Sequence, residues 1–293
     1  MPDRAPSFDL QSHSTLSDGA LTPAEVVAAA AAAGVERLAL SDHDSAVGVP
    51  EAAEAARAAG IALVSATEIT TMHEGVQDLH VLGYLIDPLH PELVATLAHS
   101  RGERERRAAT IVARLRELGY EVDESVLEAR TAQGKTIGRP HLAEAVVRHP
   151  ANRERLREAG LLEPTAFLVE YLIEGKAAFV DREAPTPQEA IELIHHAGGV
   201  AVWAHPFWDI AEPDKVIARL DTFRAAGLDG VETFYPSFSA EQARLLHGYA
   251  TEHGLLTTGS SDFHGPEHHT FSRFRAFGLH GLEPHLGPIG AAP

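Results

Sequence analysis

The chain has 293 residues, no cysteine and a formal net charge of −18, with 42 acidic against 24 basic side chains. Disulfides and thiolate metal ligands are thereby excluded, and the acidic balance argues against charge-driven binding to long nucleic acid. No run approaches the roughly 18 consecutive apolar residues of a membrane span, and the opening MPDRAPSFDL lacks the apolar centre of a secretion signal. A cytoplasmic protein with no membrane partner is therefore expected. The length suits one large α/β domain with room for an insertion.

In chain order, the first 90 residues alternate strand and helix. SFDLQSH reads as a first strand. TPAEVVAAAAAAG follows as a helix, with Thr22 as N-cap, Pro23 in its first position and Gly34 as its stop. VERLALS is a second strand, VPEAAEAARAAG a second helix, IALVSATEIT a third strand and LHVLGYLI a fourth. This rhythm implies parallel strands joined by right-handed crossovers. At Pro91 it breaks. A long charged helix over 91–118 carries an apolar stripe through Val94, Leu97, Ala108, Ile111, Leu115 and Leu118. Shorter helical patterns follow near 140–149, 153–160 and 165–174, so 91–176 reads as a helical insertion into a domain made by 1–90 and 177–293. The alternation resumes with a helix at 187–197, strand VAVWAH, a helix at 213–226, strand GVETFY, a helix at 239–253 and strand LLTTGSS. That makes seven strands, and the tail from about 284 reads as loose.

Metal-type side chains end these strand-like runs. They are His13 and Asp18 in DLQSHSTLSDG, His43 in ALSDHDS, Glu68 in VSATEIT, His80 in LHVLGY, His205 in VWAHP, and Asp262 and His264 in SSDFHG. Active sites collect at strand ends on one rim of a barrel. Side chains spread from His13 to His264 reach one point only if the strands form a closed or nearly closed ring. Asp, Glu and His without thiolate suit Mn²⁺, Zn²⁺ or Fe²⁺. A pair of such ions, roughly 3.5–4 Å apart, stabilises both the attacking and leaving oxygens of a phosphoryl transfer. Asp42 and Asp44 read as caps of the loop before the second helix.

The motifs DLxxHSxxSDG, SDHD, ATEIT, AHP and GSSDFHG occur in one order over about residues 7–280. On them the chain resembles the polymerase and histidinol phosphatase (PHP) family of metal-dependent phosphoesterases. The resemblance implies a distorted (β/α)7 TIM-like barrel holding two or three divalent metal ions, Mn²⁺ first, with Zn²⁺, Fe²⁺ or Mg²⁺ as alternatives. It implies a first ion on residue 11, His13, Glu68 and Asp262. Glu68 would also serve a second ion held by His80 and His205, and Asp18, His43 and His264 would hold a third. A metal-bound hydroxide would be the nucleophile, with no covalent enzyme intermediate.

One residue departs from the pattern. The family motif begins Asp-Leu-His-x-His, and Gln11 stands here in place of its first histidine. An amide oxygen is a weaker donor than imidazole, so this site is expected to bind more loosely or to prefer Mn²⁺ or Mg²⁺ over Zn²⁺. An impaired site would leave a metal-binding protein without catalysis. The helical insertion resembles the branch acting on nucleoside 3′,5′-bisphosphates, nucleoside 5′-monophosphates or the 5′ end of short RNA. The expected activity is therefore hydrolysis of a nucleotide phosphate monoester, most of all a nucleoside 3′,5′-bisphosphate. The alternatives are 5′→3′ exoribonuclease action on short RNA, and 5′-AMP or histidinol phosphate phosphatase. In the insertion, Arg139 just ahead of a helix N-terminus and Lys176 after Gly175 suit a second phosphate, and His141 is a candidate acid for the leaving group.

Overall fold

A computed structural model describes residues 6–73, 76–132, 137–181 and 183–291. In chain order it contains β1 (Phe8–Asp9), α1 (Pro23–Ala32), β2 (Arg37–Leu40), α2 (Val49–Ala59), β3 (Ala62–His73), β4 (Val76–Tyr84), α3 (Pro91–Glu117) and α4 (Glu124–Ala132). There follow α5 (Arg139–Val147), α6 (Arg153–Glu158), α7 (Pro164–Tyr171), α8 (Pro187–His196), β5 (Val200–Trp203), α9 (Pro206–Asp209), α10 (Pro213–Ala225) and β6 (Gly230–Phe234). Last come α11 (Ala240–His253), β7 (Leu256–Gly259) and α12 (Pro288–Ala291). The chain divides into two compact units, Met1–Ala98 with Ala184–Pro293, and His99–Glu183. The division comes later than residue 91 because Leu93 and Leu97 bury with the larger unit's core.

In the larger unit the seven strands pair in chain order, β1 through β7. The Leu10 N–H donates to Gly259 O at 3.2 Å and the His13 N–H to Phe263 O at 2.8 Å, which brings the first and last strands together. The result is a nearly closed barrel. Helix α8 packs on β3, β4 and β5, and β5 buries Ala201, Val202 and Trp203 completely. Helix α8 presents Ala190, Ile191, Leu193 and Ile194 to the core, each large aliphatic side chain contributing roughly 1.5–3 kcal/mol. Its entry is fixed by a capping box: the Thr186 hydroxyl accepts from Glu189 N–H, and Glu189 Oε2 accepts from Thr186 N–H at 2.8 Å. Thr22 with Glu25 and Ser239 with Gln242 repeat the device on α1 and α11.

The strand directions correct one expectation. β4 runs antiparallel to both β3 and β5. Only residues 74 and 75 separate β3 from β4, and a parallel crossover needs a dozen or more. The apolar run therefore follows His80 instead of preceding it, and His80 lies opposite Thr70, close along β3 to Glu68. Two smaller corrections concern packing. Val94 is exposed and its neighbour Leu93 is buried in its place, a one-residue change of helix face. The tail is not loose: α12 buries Ile289 in a cluster with Leu256 and Phe277.

The smaller unit holds α4–α7 and most of α3 around its own core, which includes Ile111, Leu115, Tyr120, Leu142, Val146, Leu156 and Phe167. Helix α4 was not legible in the sequence pattern. Tyr120 donates to the Tyr171 hydroxyl at 2.8 Å, and the Arg155 guanidinium lies 4.0 Å over the Tyr120 ring. Among the described residues, no helix is long and apolar enough to cross a membrane.

Candidate metal centre

At one rim of the barrel the Glu68 carboxylate is ringed by imidazoles. Oε1 lies 2.8 Å from His80 Nδ1 and 3.1 Å from His205 Nε2, and Oε2 lies 3.2 Å from His13 Nε2 and 3.5 Å from His43 Nδ1. Asp262 Oδ1 approaches His13 Nε2 to 3.0 Å. On the other side of His13, Asp18 stands 3.7 Å from His13 Nδ1, 3.4 Å from His264 Nε2 and 3.7 Å from His43 Nε2. Three sets emerge whose donor atoms lie within 4.8 Å of one another: His13, Glu68 and Asp262; His43, Glu68 and His80; and His13, Asp18, His43 and His264. All eight histidine and carboxylate residues picked out in the sequence thus meet.

The local backbone is built to aim these groups. Gly19 is required in the first turn, because a Cβ there would lie 2.1 Å from His13 O. Asp42, read as a loop cap, accepts from Ser14 N–H and from the Ser14 and Ser17 hydroxyls at 2.6–2.7 Å, so it holds the loop that carries Asp18. His205 and Asp262 have φ of 28° and 53°, a left-handed conformation that costs non-glycine residues about 1–3 kcal/mol. Each is held by a buried carboxylate that was not among the candidate site residues. Glu232 accepts from His205 N–H at 2.9 Å, and Asp9 accepts from Ser261 N–H and its hydroxyl at 2.8 and 2.6 Å. Tyr235 donates to Asp262 Oδ2 at 2.7 Å and leaves Oδ1 turned to His13. With its Nδ1 set 2.7 Å from Asp262 O, His264 keeps Nε2 as the nitrogen with a free lone pair. An acidic side chain inside an apolar strand, as in GVETF, was the signal for Glu232.

Burial opposes every charge here, and the partners decide the outcome. Asp262 and Glu68 hold His13 well above the ordinary imidazole range, and Glu68 foremost carries His205 up to about 9. Burial would lift Asp262, but His264 and His13 bring it down to about 2. Glu68 and Asp18 are held below the usual carboxylate range against the same burial, both by His43 first. His43 itself falls to about 4, since burial, His13 and His80 outweigh its carboxylate neighbours. With no cationic partner of comparable strength, Asp9 and Glu232 are pushed up by burial to about 7 and about 8.

Six buried atoms in this cluster have no hydrogen-bond partner among the described residues: His13 Nδ1 and Nε2, His43 Nδ1, His205 Nδ1, Asp18 Oδ1 and Asp262 Oδ1. Leaving one such group unsatisfied costs about 1–3 kcal/mol. Five of them crowd around Glu68 and Asp18 and fit divalent cations, whereas His205 Nδ1 faces Asp209 at 3.8 Å; nitrogen and carboxylate donors suit hard to borderline ions. Gln11 is buried beside Glu68: its Nε2 donates to Glu68 Oε2 at 2.8 Å and its Oε1 accepts from the Ser260 hydroxyl at 3.3 Å. The remaining sequence candidates belong to the smaller unit. Arg139 opens α5, His141 Nδ1 accepts from Gly138 N–H at 3.0 Å, and Lys176 pairs with Glu170 at 3.2 Å.

Comparison with known proteins gives the family. Residues 9–163 match the PHP domain. A 5′-3′ exoribonuclease of Haemophilus influenzae is 36% identical over 259 residues, 88% of this chain and 90% of that protein. A 3′,5′-nucleoside bisphosphate phosphatase of Chromobacterium violaceum is 35% identical over 262 residues, 89% of this chain and 88% of that protein. Among solved structures, an amidohydrolase from Chromobacterium violaceum with bound sulfate superposes with a TM-score of 0.78 at 30% identity, covering 98% of this chain and 97% of its own. The chain belongs to the PHP-domain family of phosphoesterases.

Proposed function

We propose that this chain hydrolyses a phosphate monoester of a small nucleotide, a nucleoside 3′,5′-bisphosphate foremost, at two or three divalent ions, Mn²⁺ first. The observation that carries the reading is the Glu68 carboxylate, which faces His13 and His43 with one oxygen and His80 and His205 with the other. One carboxylate between two sets of ligands suits a bridge. His13, Glu68 and Asp262 would hold the first ion, Glu68, His80 and His205 the second, and Asp18, His43 and His264 the third. Gln11 would join the first through Oε1 only by turning its amide over, away from the Glu68 contact. When bound, the ions would supply an ionised water and neutralise the phosphate oxygens.

The residues of this chain do the rest. Tyr235 fixes the plane of Asp262, Glu232 and Asp9 hold the strained backbone at His205 and beside Asp262, and the apolar barrel beneath keeps the ligands from relaxing. Water adds to phosphorus and the ester oxygen leaves as the alcohol, so the products are a nucleoside monophosphate and inorganic phosphate. The phosphatase named among the relatives supports this substrate class. The exoribonuclease named there favours a second reading, in which the attacked phosphate stays on the rest of a short RNA and the 5′ nucleotide leaves through its 3′-oxygen. Incubating Mn²⁺-loaded protein with adenosine 3′,5′-bisphosphate or a short 5′-phosphorylated RNA separates them. Phosphate from the bisphosphate supports the first, and stepwise loss of 5′ nucleotides the second.

A further inference from the structure

The chain has two tryptophans, and they have opposite fates. Trp203 is fully buried in β5, whereas Trp208 on α9 is 53% exposed. A single exposed apolar side chain is ordinary and by itself means nothing. What distinguishes Trp208 is its attachment. Its ring lies 6.1 Å from Tyr235 and 5.5 Å from Phe271, at interplanar angles of 69° and 56°. Both supporting rings are buried, and both touch candidate metal ligands. Tyr235 sits 5.4 Å from the His205 ring and donates to Asp262, while Phe271 sits 5.6 Å from the His264 ring. The indole is therefore fixed one ring layer outside the ligand cluster, three residues after His205, with its other surface open to solvent.

From this arrangement we propose that Trp208 is the stacking platform for the nucleobase of the substrate, an inference that rests on the nucleotide reading above. A nucleotide carries its charge at the phosphate and its flat apolar surface at the base, on opposite sides of the sugar. With the phosphate at the ligand cluster, a rigid aromatic surface one layer outward meets the base. Stacking on an indole tolerates every base, because each has a π-face, so the platform gives affinity for nucleotides without strong base preference. A sugar phosphate without a base gains nothing from it.

The test compares kcat/KM of Mn²⁺-loaded protein for adenosine 3′,5′-bisphosphate with that for base-free 1-deoxyribose 3,5-bisphosphate. The preference for the nucleotide should fall roughly 5- to 150-fold in Trp208→Ala, and Trp208→Phe should keep it within about threefold of the parent. A preference unchanged in Trp208→Ala, with both compounds still hydrolysed by the parent chain, overturns the platform and leaves the phosphatase reading standing. Hydrolysis of neither compound by the parent chain overturns the phosphatase reading, and the platform falls with it.

Discussion

Glu68→Gln is the most informative single change, because it removes one charge and almost no volume. The carboxylate has four imidazole nitrogens within 3.5 Å and the Gln11 amide at 2.8 Å, and it belongs to two of the three donor sets. At an effective dielectric near 20, a unit charge pair 4 Å apart is worth about 4 kcal/mol. A divalent ion would feel up to twice that, and the lower desolvation cost of an amide offsets part of it. A net loss of about 4 kcal/mol per ion corresponds to roughly 10³-fold weaker binding. The variant should therefore leave gel filtration in micromolar Mn²⁺ with fewer bound ions per chain than the parent, measured by elemental analysis, and with phosphate release reduced at least as steeply. Retention of the parental metal content together with turnover within about tenfold of the parent would refute the bridging role.

Other consequences follow from the same geometry. In the metal-free chain His205 is raised to about 9 from 6.5, and Glu232 to about 8 from 4.5. Stability tied to a raised pKa is complete below the unfolded value and is lost as pH passes the folded one. The Tm of EDTA-treated protein should thus fall between about pH 6.5 and about pH 9, and a Tm that rises over this window contradicts the assignment. Gln11→His restores an imidazole beside Glu68 and should tighten metal binding, read by titration calorimetry. Unchanged affinity would place residue 11 outside the coordination shell. Arg139→Ala should impair hydrolysis of a 3′,5′-bisphosphate more than that of a 5′-monophosphate, and equal impairment would remove Arg139 from recognition of the second phosphate.

Much of this was legible from the chain because barrel strands and their terminal ligands recur as short local patterns. Thr22 and Pro23 announce α1, and DLQSHSTLSDG and GSSDFHG carry their donors within a few residues of a strand. Direction was not legible. LHVLGYLI has the same apolar pattern whichever way it runs, and only the brevity of the connection at 74–75 makes β4 antiparallel. The roles of Asp9, Glu232 and Tyr235 were not legible for a different reason. Their partners, Ser261, His205 and Asp262, are brought to them by the closed barrel, and spacing along the chain holds no trace of such contacts. Leu93 and Val94 differ by one helical position, which periodicity in a long charged helix does not resolve.

We propose that these gathered ligands form a phosphoesterase centre for a small nucleotide. The decisive measurement is release of inorganic phosphate from adenosine 3′,5′-bisphosphate by protein of known Mn²⁺ content, run beside 5′-AMP and histidinol phosphate. Metal-dependent release abolished by EDTA is expected, with the bisphosphate preferred. Protein that carries its ions and releases phosphate from none of the three would contradict it.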